Sequence, residues 1–213
     1  MMSEGFAAFA LRARENGITD PALVSAFEKA GRDHFVDPAY RDAIWQPRSL
    51  PIKCGETLES PDQQIRILAR LDLKPGLNVL EIGTGSGFTA AVIGAQAEKL
   101  ISVERYRTLA TAAAGQMKRL GFTHVSIRHG SAFDVLETGE GPFDRMIVWS
   151  SFSELPRNIS NMMASGGIAV LAIGEPEQQQ TVARLEKVGS RFERTDFATA
   201  RMQPLAEEKA LFL

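Results

Sequence analysis

A single cysteine, Cys54, stands in the chain's 213 residues, so no disulfide can close within it. With only three histidines, scattered at 34, 124 and 129, one thiol offers no metal-ligand spacing, and no metal site is expected. No run of eighteen apolar residues and no secretory leader occur, which predicts a cytoplasmic protein with no membrane partner. Neither sign of charge dominates: 24 Lys+Arg face 26 Asp+Glu for a net charge of -2. That balance lacks the positive field that gathers a polyanion, so no nucleic acid is expected and a small or peptide ligand fits better. No internal repeat or low-complexity tract is present, Gln178-Gln179-Gln180 being too short to count. The 44% hydrophobic content suffices for one large core and predicts one domain with appendages.

Periodicity then orders the chain. Ser3 to Asn16 places Phe6, Phe9, Ala10 and Ala13 on one helical face. Thr19-Asp20-Pro21 caps and opens a second helix ending at Gly31, and the two predict a helical hairpin. Prolines at 38, 47, 51 and 61 break up the next thirty residues into an irregular segment that wraps or covers something. A helix follows over Asp62–Leu71. Apolar runs at Asn78–Ile82, Leu100–Val103, Val125–Ile127, Met146–Trp149 and Ile168–Ile173 read as strands buried on both faces. Helical patterns at Phe88–Ala97, Thr108–Leu120 and Leu155–Ala164 alternate with them. Such alternation predicts an α/β fold, a doubly wound and mostly parallel sheet. Thr181–Val188 and Phe192–Thr199, joined by Gly189-Ser190, predict an antiparallel hairpin at one edge.

The strongest local signal is Glu81-Ile82-Gly83-Thr84-Gly85-Ser86-Gly87, which closes the first buried strand and opens a helix. Glycines there let the chain turn sharply and bring a ligand against main-chain N–H groups. The pattern G-x-G-x-G is one residue tighter than the dinucleotide fingerprint, which disfavours nicotinamide-dependent oxidoreduction. Glu104, at the end of the next strand, stands where an α/β nucleotide site puts a carboxylate on ribose hydroxyls; taken alone it reads as a solvated helix cap.

Together with Ser102-Val103-Glu104-Arg105, this motif resembles the cofactor site of class I S-adenosylmethionine-dependent methyltransferases, specifically the protein-L-isoaspartate O-methyltransferases. Arg32-Asp33-His34-Phe35-Val36, Leu50-Pro51-Ile52, Gly55 to Pro61, Pro142-Phe143-Asp144, Gly166-Gly167 and Gln203-Pro204-Leu205 fall in that family's order. The resemblance implies a Rossmann-like core over residues 62–213 that binds S-adenosylmethionine and releases S-adenosylhomocysteine. Residues 1–61 then supply N-terminal helices and a cover for the acceptor cleft. It further implies that Glu81, Gly83, Thr84, Gly85, Ser86 and Gly87 hold the methionine end, and Glu104 with Arg105 the ribose. Gly130-Ser131-Ala132 stands where the family carries Gly-Asp-Gly facing the adenine. Ser131 retains an acceptor oxygen but forms a weaker bond than a carboxylate; Asp134 is a displaced substitute. The implied substrate is the side carboxylate of isoaspartyl residues in a damaged peptide or protein.

On the acceptor side the family's Thr-Ile-Ser reads Thr57-Leu58-Glu59, so a glutamate replaces the serine that faces the substrate carboxylate. Two like charges about 4 Å apart repel by roughly 1 kcal/mol in water and about 4 kcal/mol near a protein surface. Four outcomes stay open. Ser60 takes over the hydroxyl role; Glu59 points away and leaves weak isoaspartyl activity; Glu59 faces the acceptor and binds an amine or serves as a general base; or Glu59 is an exposed loop residue with no role. A divergent relative that binds cofactor but methylates another acceptor, or none, is the alternative function. Ser150-Ser151 lacks the Asn/Asp-Pro-Pro-Tyr/Phe segment of amino-methylating relatives. Cys54 reads as an unreactive thiol, Trp45 as core or cleft, and Trp149 as cleft.

Overall fold

In the computed structural model, which describes residues 3–138, 140–206, 208 and 210, capping residues set the first helices. Ser3 accepts from Phe6 N at the start of α1 (Glu4–Glu15), and Asp20 from Ala22 N at the start of α2 (Pro21–Ala30). Gly31, at φ 65°, ends α2 in the left-handed conformation that glycine adopts at little cost. The irregular segment resolves into short 3-10 turns and a two-residue antiparallel pair, β1 (Leu50–Pro51) with β2 (Thr57–Leu58). Next come α3 (Pro61–Leu68), which ends in a 3-10 turn over Ala69–Leu71, β3 (Asn78–Ile82), α4 (Phe88–Gly94) and β4 (Lys99–Glu104). The second half holds α5 (Arg107–Arg119), β5 (Val125–His129), α6 (Ala132–Thr138), β6 (Phe143–Phe152), α7 (Ile159–Met162), β7 (Met163–Ile173), β8 (Gln180–Val188) and β9 (Arg191–Ala200).

Seven strands form one sheet in the order β5-β4-β3-β6-β7-β8-β9. β3 to β7 run parallel, while β8 and β9 add antiparallel, as the C-terminal pattern predicts. Successive residues of β3 feed opposite cores: Val79 packs with α1 to α4, Leu80 with Met146 and Met162 on the other face. The N-terminal helices are not a separate body. Phe9 stacks between Trp45 (5.1 Å) and Phe27 (5.5 Å), and Phe27 meets Phe88 of α4 edge-on at 5.4 Å. Arg12 adds a bidentate pair with Asp62 at 2.7 and 2.9 Å. The segment after α2 is thereby packed onto the core through Phe35 and Trp45, and its Ile52 and Glu56 to Glu59 share a pocket with the carboxyl ends of β3, β4 and β6.

Three expectations change. The helix predicted over Leu155–Ala164 shrinks to the single turn of α7, because Met163 already pairs with Phe143 as the first residue of β7. Gly166 (φ 71°) and Gly167, where a Cβ would lie 2.9 Å from the Ala164 carbonyl, carry β7 through its irregular start. β5 is an edge strand of alternating half-buried and exposed residues rather than one buried on both faces. α6 forms where no helix was expected. No helix among the described residues is long and apolar enough to cross a membrane.

Candidate active site

A cleft of about 960 Å³, mouth included, opens at the carboxyl ends of the parallel strands where the chain order reverses between β3 and β6. That is where α/β sheets bind ligands. Its floor is the glycine turn. Gly83 N donates to the Val103 carbonyl at 2.9 Å and Thr84 N to the same oxygen at 3.3 Å, tying the turn to β4. Gly83 sits at φ 90°, and a Cβ there would approach Trp149 Cβ to 3.2 Å.

Hydrogen bonding around the turn revises the expected amide cradle. Gly85 N donates to Glu104 Oε2 at 2.8 Å and Gly87 N to the Thr84 carbonyl at 2.9 Å. Four of the five N–H groups from 83 to 87 are therefore used internally. Among the described residues no donor meets the Gly83 and Gly85 carbonyls, so the turn presents acceptors, which suit an ammonium group. The Ser86 hydroxyl is buried without a partner and lines the cleft. An amino-acid zwitterion fits this combination of acceptors and an unused hydroxyl.

Glu81 lies beneath the cleft, not in its wall. Fully buried, its carboxylate accepts from Thr89 Oγ1 (2.5 Å), Ser102 Oγ (2.7 Å) and Trp149 Nε1 (2.9 Å). Burial pushes its pKa up to about 7 against these three bonds. Its place is to brace Trp149 and the turn. Gly87 is likewise structural: a Cβ there would lie 2.9 Å from Ala113 Cβ, so the glycine lets α4 pack on α5.

Glu104 is 5% exposed and lines the cleft, its other oxygen accepting from Tyr106 N at 2.9 Å. Burial raises its pKa, while the backbone donors oppose the rise. Thr84, Arg105, Gly130 and Ala132 also reach the cleft. Ser131 does not line it; its hydroxyl accepts from Phe133 N at 3.1 Å near the start of α6. Asp134 is exposed and turns its carboxylate back to Ser131 N at 3.2 Å. Neither side chain is offered to the cleft.

Glu56, Thr57, Leu58 and Glu59 line the cleft with Ile52 and Gln64, and residues 203–206 join the same lining. Those last residues are held by Ser151, whose N donates to the Gln203 carbonyl and whose carbonyl accepts from Leu205 N, both at 2.9 Å. Ser60 is absent from the cleft. Its hydroxyl accepts from Gln63 N at 3.2 Å as the cap of α3, which corrects its candidacy as an acceptor-side group. Gln64 and Tyr106 were not singled out from sequence. Both are positioned by tertiary packing, Gln64 through buried Arg32 and Tyr106 beside Glu56. Trp45 is core and Trp149 cleft wall. Burial and the nearby Glu104 and Glu56 charges raise the Cys54 thiol's pKa, which disfavours the reactive thiolate.

The family profile described as protein-L-isoaspartate(D-aspartate) O-methyltransferase matches residues 7–210. The chain belongs to that family. Curated relatives agree: the protein-L-isoaspartate O-methyltransferase of Rhizobium meliloti is 38% identical over 96% of this chain and 100% of its own length. That of Rhodopseudomonas palustris strain BisB5 is 38% identical over 92% of this chain and 90% of its own. Among solved structures, a candidate enzyme of this name from Plasmodium falciparum, in complex with S-adenosyl-L-homocysteine, aligns with a TM-score of 0.80 at 19% identity over 96% of this chain and 99% of its own. Another structure titled protein-L-isoaspartate O-methyltransferase aligns at 0.83 and 21% identity, covering 94% of this chain and 66% of that one. These two establish the shared fold, a Rossmann-like methyltransferase domain preceded by helices.

Proposed function

We infer that this chain is an S-adenosylmethionine-dependent O-methyltransferase acting on the side carboxylate of isoaspartyl residues in damaged proteins or peptides. Membership of the family over nearly the whole chain is the observation that carries the reading. The cleft supports it residue by residue. Free carbonyls at Gly83 and Gly85 and the Ser86 hydroxyl would hold the amino-acid end, and Glu104 the ribose hydroxyls, a bond that competes with its present bond to Gly85 N.

S-adenosylmethionine supplies an activated methyl on a sulfonium. The protein's own task is alignment, since charge is neutralised in the displacement and a carboxylate acceptor needs no general base at neutral pH. Residues 1–61 serve as the acceptor cover, with Thr57 and Glu59 reaching the cleft lining. Residence in the cytoplasm accords with the lone thiol.

Two measurements test the reading: the heat of S-adenosylhomocysteine binding, and labelled methyl transfer to an isoaspartyl peptide against its aspartyl twin. Saturable transfer to the first alone is expected. Cofactor binding with transfer to neither would favour a redirected or non-catalytic relative, the second reading that Glu59 and Ser131 support.

A further inference from the structure

Two groups at the acceptor end have no part in the account above. Glu59 lines the same cleft as the glycine turn. Ser49 Oγ donates to its Oε2 at 3.2 Å, and among the described residues no donor meets Oε1. Behind it stands Arg32, wholly buried, its guanidinium 4.7 Å from the centre of the Phe88 ring. Arg32 donates to Gln64 Oε1 and, at 2.6 Å, to the Glu59 carbonyl oxygen, yet makes no ion pair among the described residues. Among the described residues its Nε has no partner. A buried cation without a contact counter-ion is unfavourable unless an anion is near, and Glu59 and Asp62 are the acids whose charge it feels.

Arg32 thus lies buried behind the lining, and Glu59 is the lining carboxyl whose charge it feels most. An acceptor carboxylate arriving beside an ionised Glu59 puts two negative charges against that one buried cation; beside a neutral Glu59 the acceptor and the cation balance. We propose that Glu59 takes up one proton as the isoaspartyl carboxylate docks, and that its O–H donates to that carboxylate while the buried charge of Arg32 steadies the pair. The proposal rests on the isoaspartyl reading and names how this site accepts its anion. The proton comes from solvent on docking. Methyl transfer moves no proton; the acceptor oxygen gains the carbon bond and sulfur keeps the electron pair. Because the resulting ester is uncharged, Glu59 re-ionises and the proton returns to solvent.

Burial already lifts the Glu59 carboxyl above the ordinary carboxylate range, with Ser49 and Arg32 opposing the lift. The other charged groups facing this region are Glu56 on the same loop, exposed Arg48 beside Ser49, Asp62 through Arg32, and Glu104 and Arg105 across the cleft. The glycine turn, β6 and residues 203–206 bring none to the lining. Glu104 also titrates above the ordinary range, so a variant at 59 is needed to separate the two.

The test is calorimetric binding of an isoaspartyl peptide to the S-adenosylhomocysteine-loaded protein, in buffers of differing ionisation heat. Between about pH 6 and about pH 8 the wild type should take up close to one proton per peptide and weaken toward tenfold per pH unit as pH rises. Glu59→Gln and Glu59→Ser, which keep a neutral donor, should bind with neither uptake nor slope. Equal slopes in wild type and Glu59→Gln would overturn the proposal alone. If none of the three binds the peptide while S-adenosylhomocysteine still binds, the isoaspartyl reading falls and the proposal with it.

Discussion

The two walls of the cleft are built on different principles. On the cofactor side, Glu81, Thr89, Ser102, Thr84 and Trp149 form one hydrogen-bonded network, and four of the five amides of the glycine turn are already used internally. On the acceptor side, Thr57 and Leu58 lie in a two-residue strand, Thr57 is exposed, and Glu59 has one side-chain donor. Preorganisation thus resides where every substrate of the reaction shares the same nucleoside. The other wall is lightly braced, and among the described residues the Glu59 side chain there makes no hydrogen bond to the floor.

The largest break in this contrast should come from Gly87→Val. Its left-handed backbone and the 2.9 Å approach to Ala113 predict a loss of about 3 kcal/mol or more in denaturant unfolding, with cofactor binding lost alongside. A similar energy is visible without mutation. Glu81 holds its proton more tightly folded, with a pKa near 7 against 4.5 when free, so its contribution is complete below about pH 4.5 and is lost as pH rises through about 7. Glu81 should account for a fall of about 3 kcal/mol in unfolding free energy across that window, and Glu81→Gln should remove that share, leaving the smaller slope from Glu59 and Glu104.

Glu104→Gln sharpens the contrast from the ligand side. It should weaken S-adenosylhomocysteine binding by about 2 kcal/mol, since a charged acceptor on the sugar is lost, with a smaller change in stability. The mildest case is Ser60→Ala, next in sequence to the acceptor wall but outside the cleft. Removing the α3 cap should lower stability by about 1 kcal/mol while leaving cofactor affinity and the peptide KM unchanged. A raised KM would return Ser60 to the acceptor site.

Local chemistry explains what was legible in the sequence. Asn78–Ile82, the Ser3 and Asp20 caps, the C-terminal hairpin and the glycine turn each carry their signal within a few residues. The resemblance, in turn, put the segment up to Pro61 over the cleft, while the place of residues 203–206 in its lining came only with the fold. What escaped depends on partners distant in sequence. The helical pattern after Leu155 yields to Met163 pairing with Phe143, and Glu81 looks like a ligand acid until Thr89, Ser102 and Trp149 enclose it. Ser131 kept an oxygen in the expected place, but the Phe133 amide uses it in forming α6. Gln64 gives no sequence signal at all, because the buried Arg32 that orients it lies 32 residues away.

The central claim is that the carbonyls of Gly83 and Gly85 and the Glu104 carboxylate together seat the nucleoside at the β3/β6 crevice. A crystal structure with S-adenosylhomocysteine bound tests it most directly. The account predicts the ligand ammonium on those two carbonyls and both ribose hydroxyls on Glu104, displaced from Gly85 N. Glu104 still bonded to Gly85 N with the ligand's sugar elsewhere would contradict it.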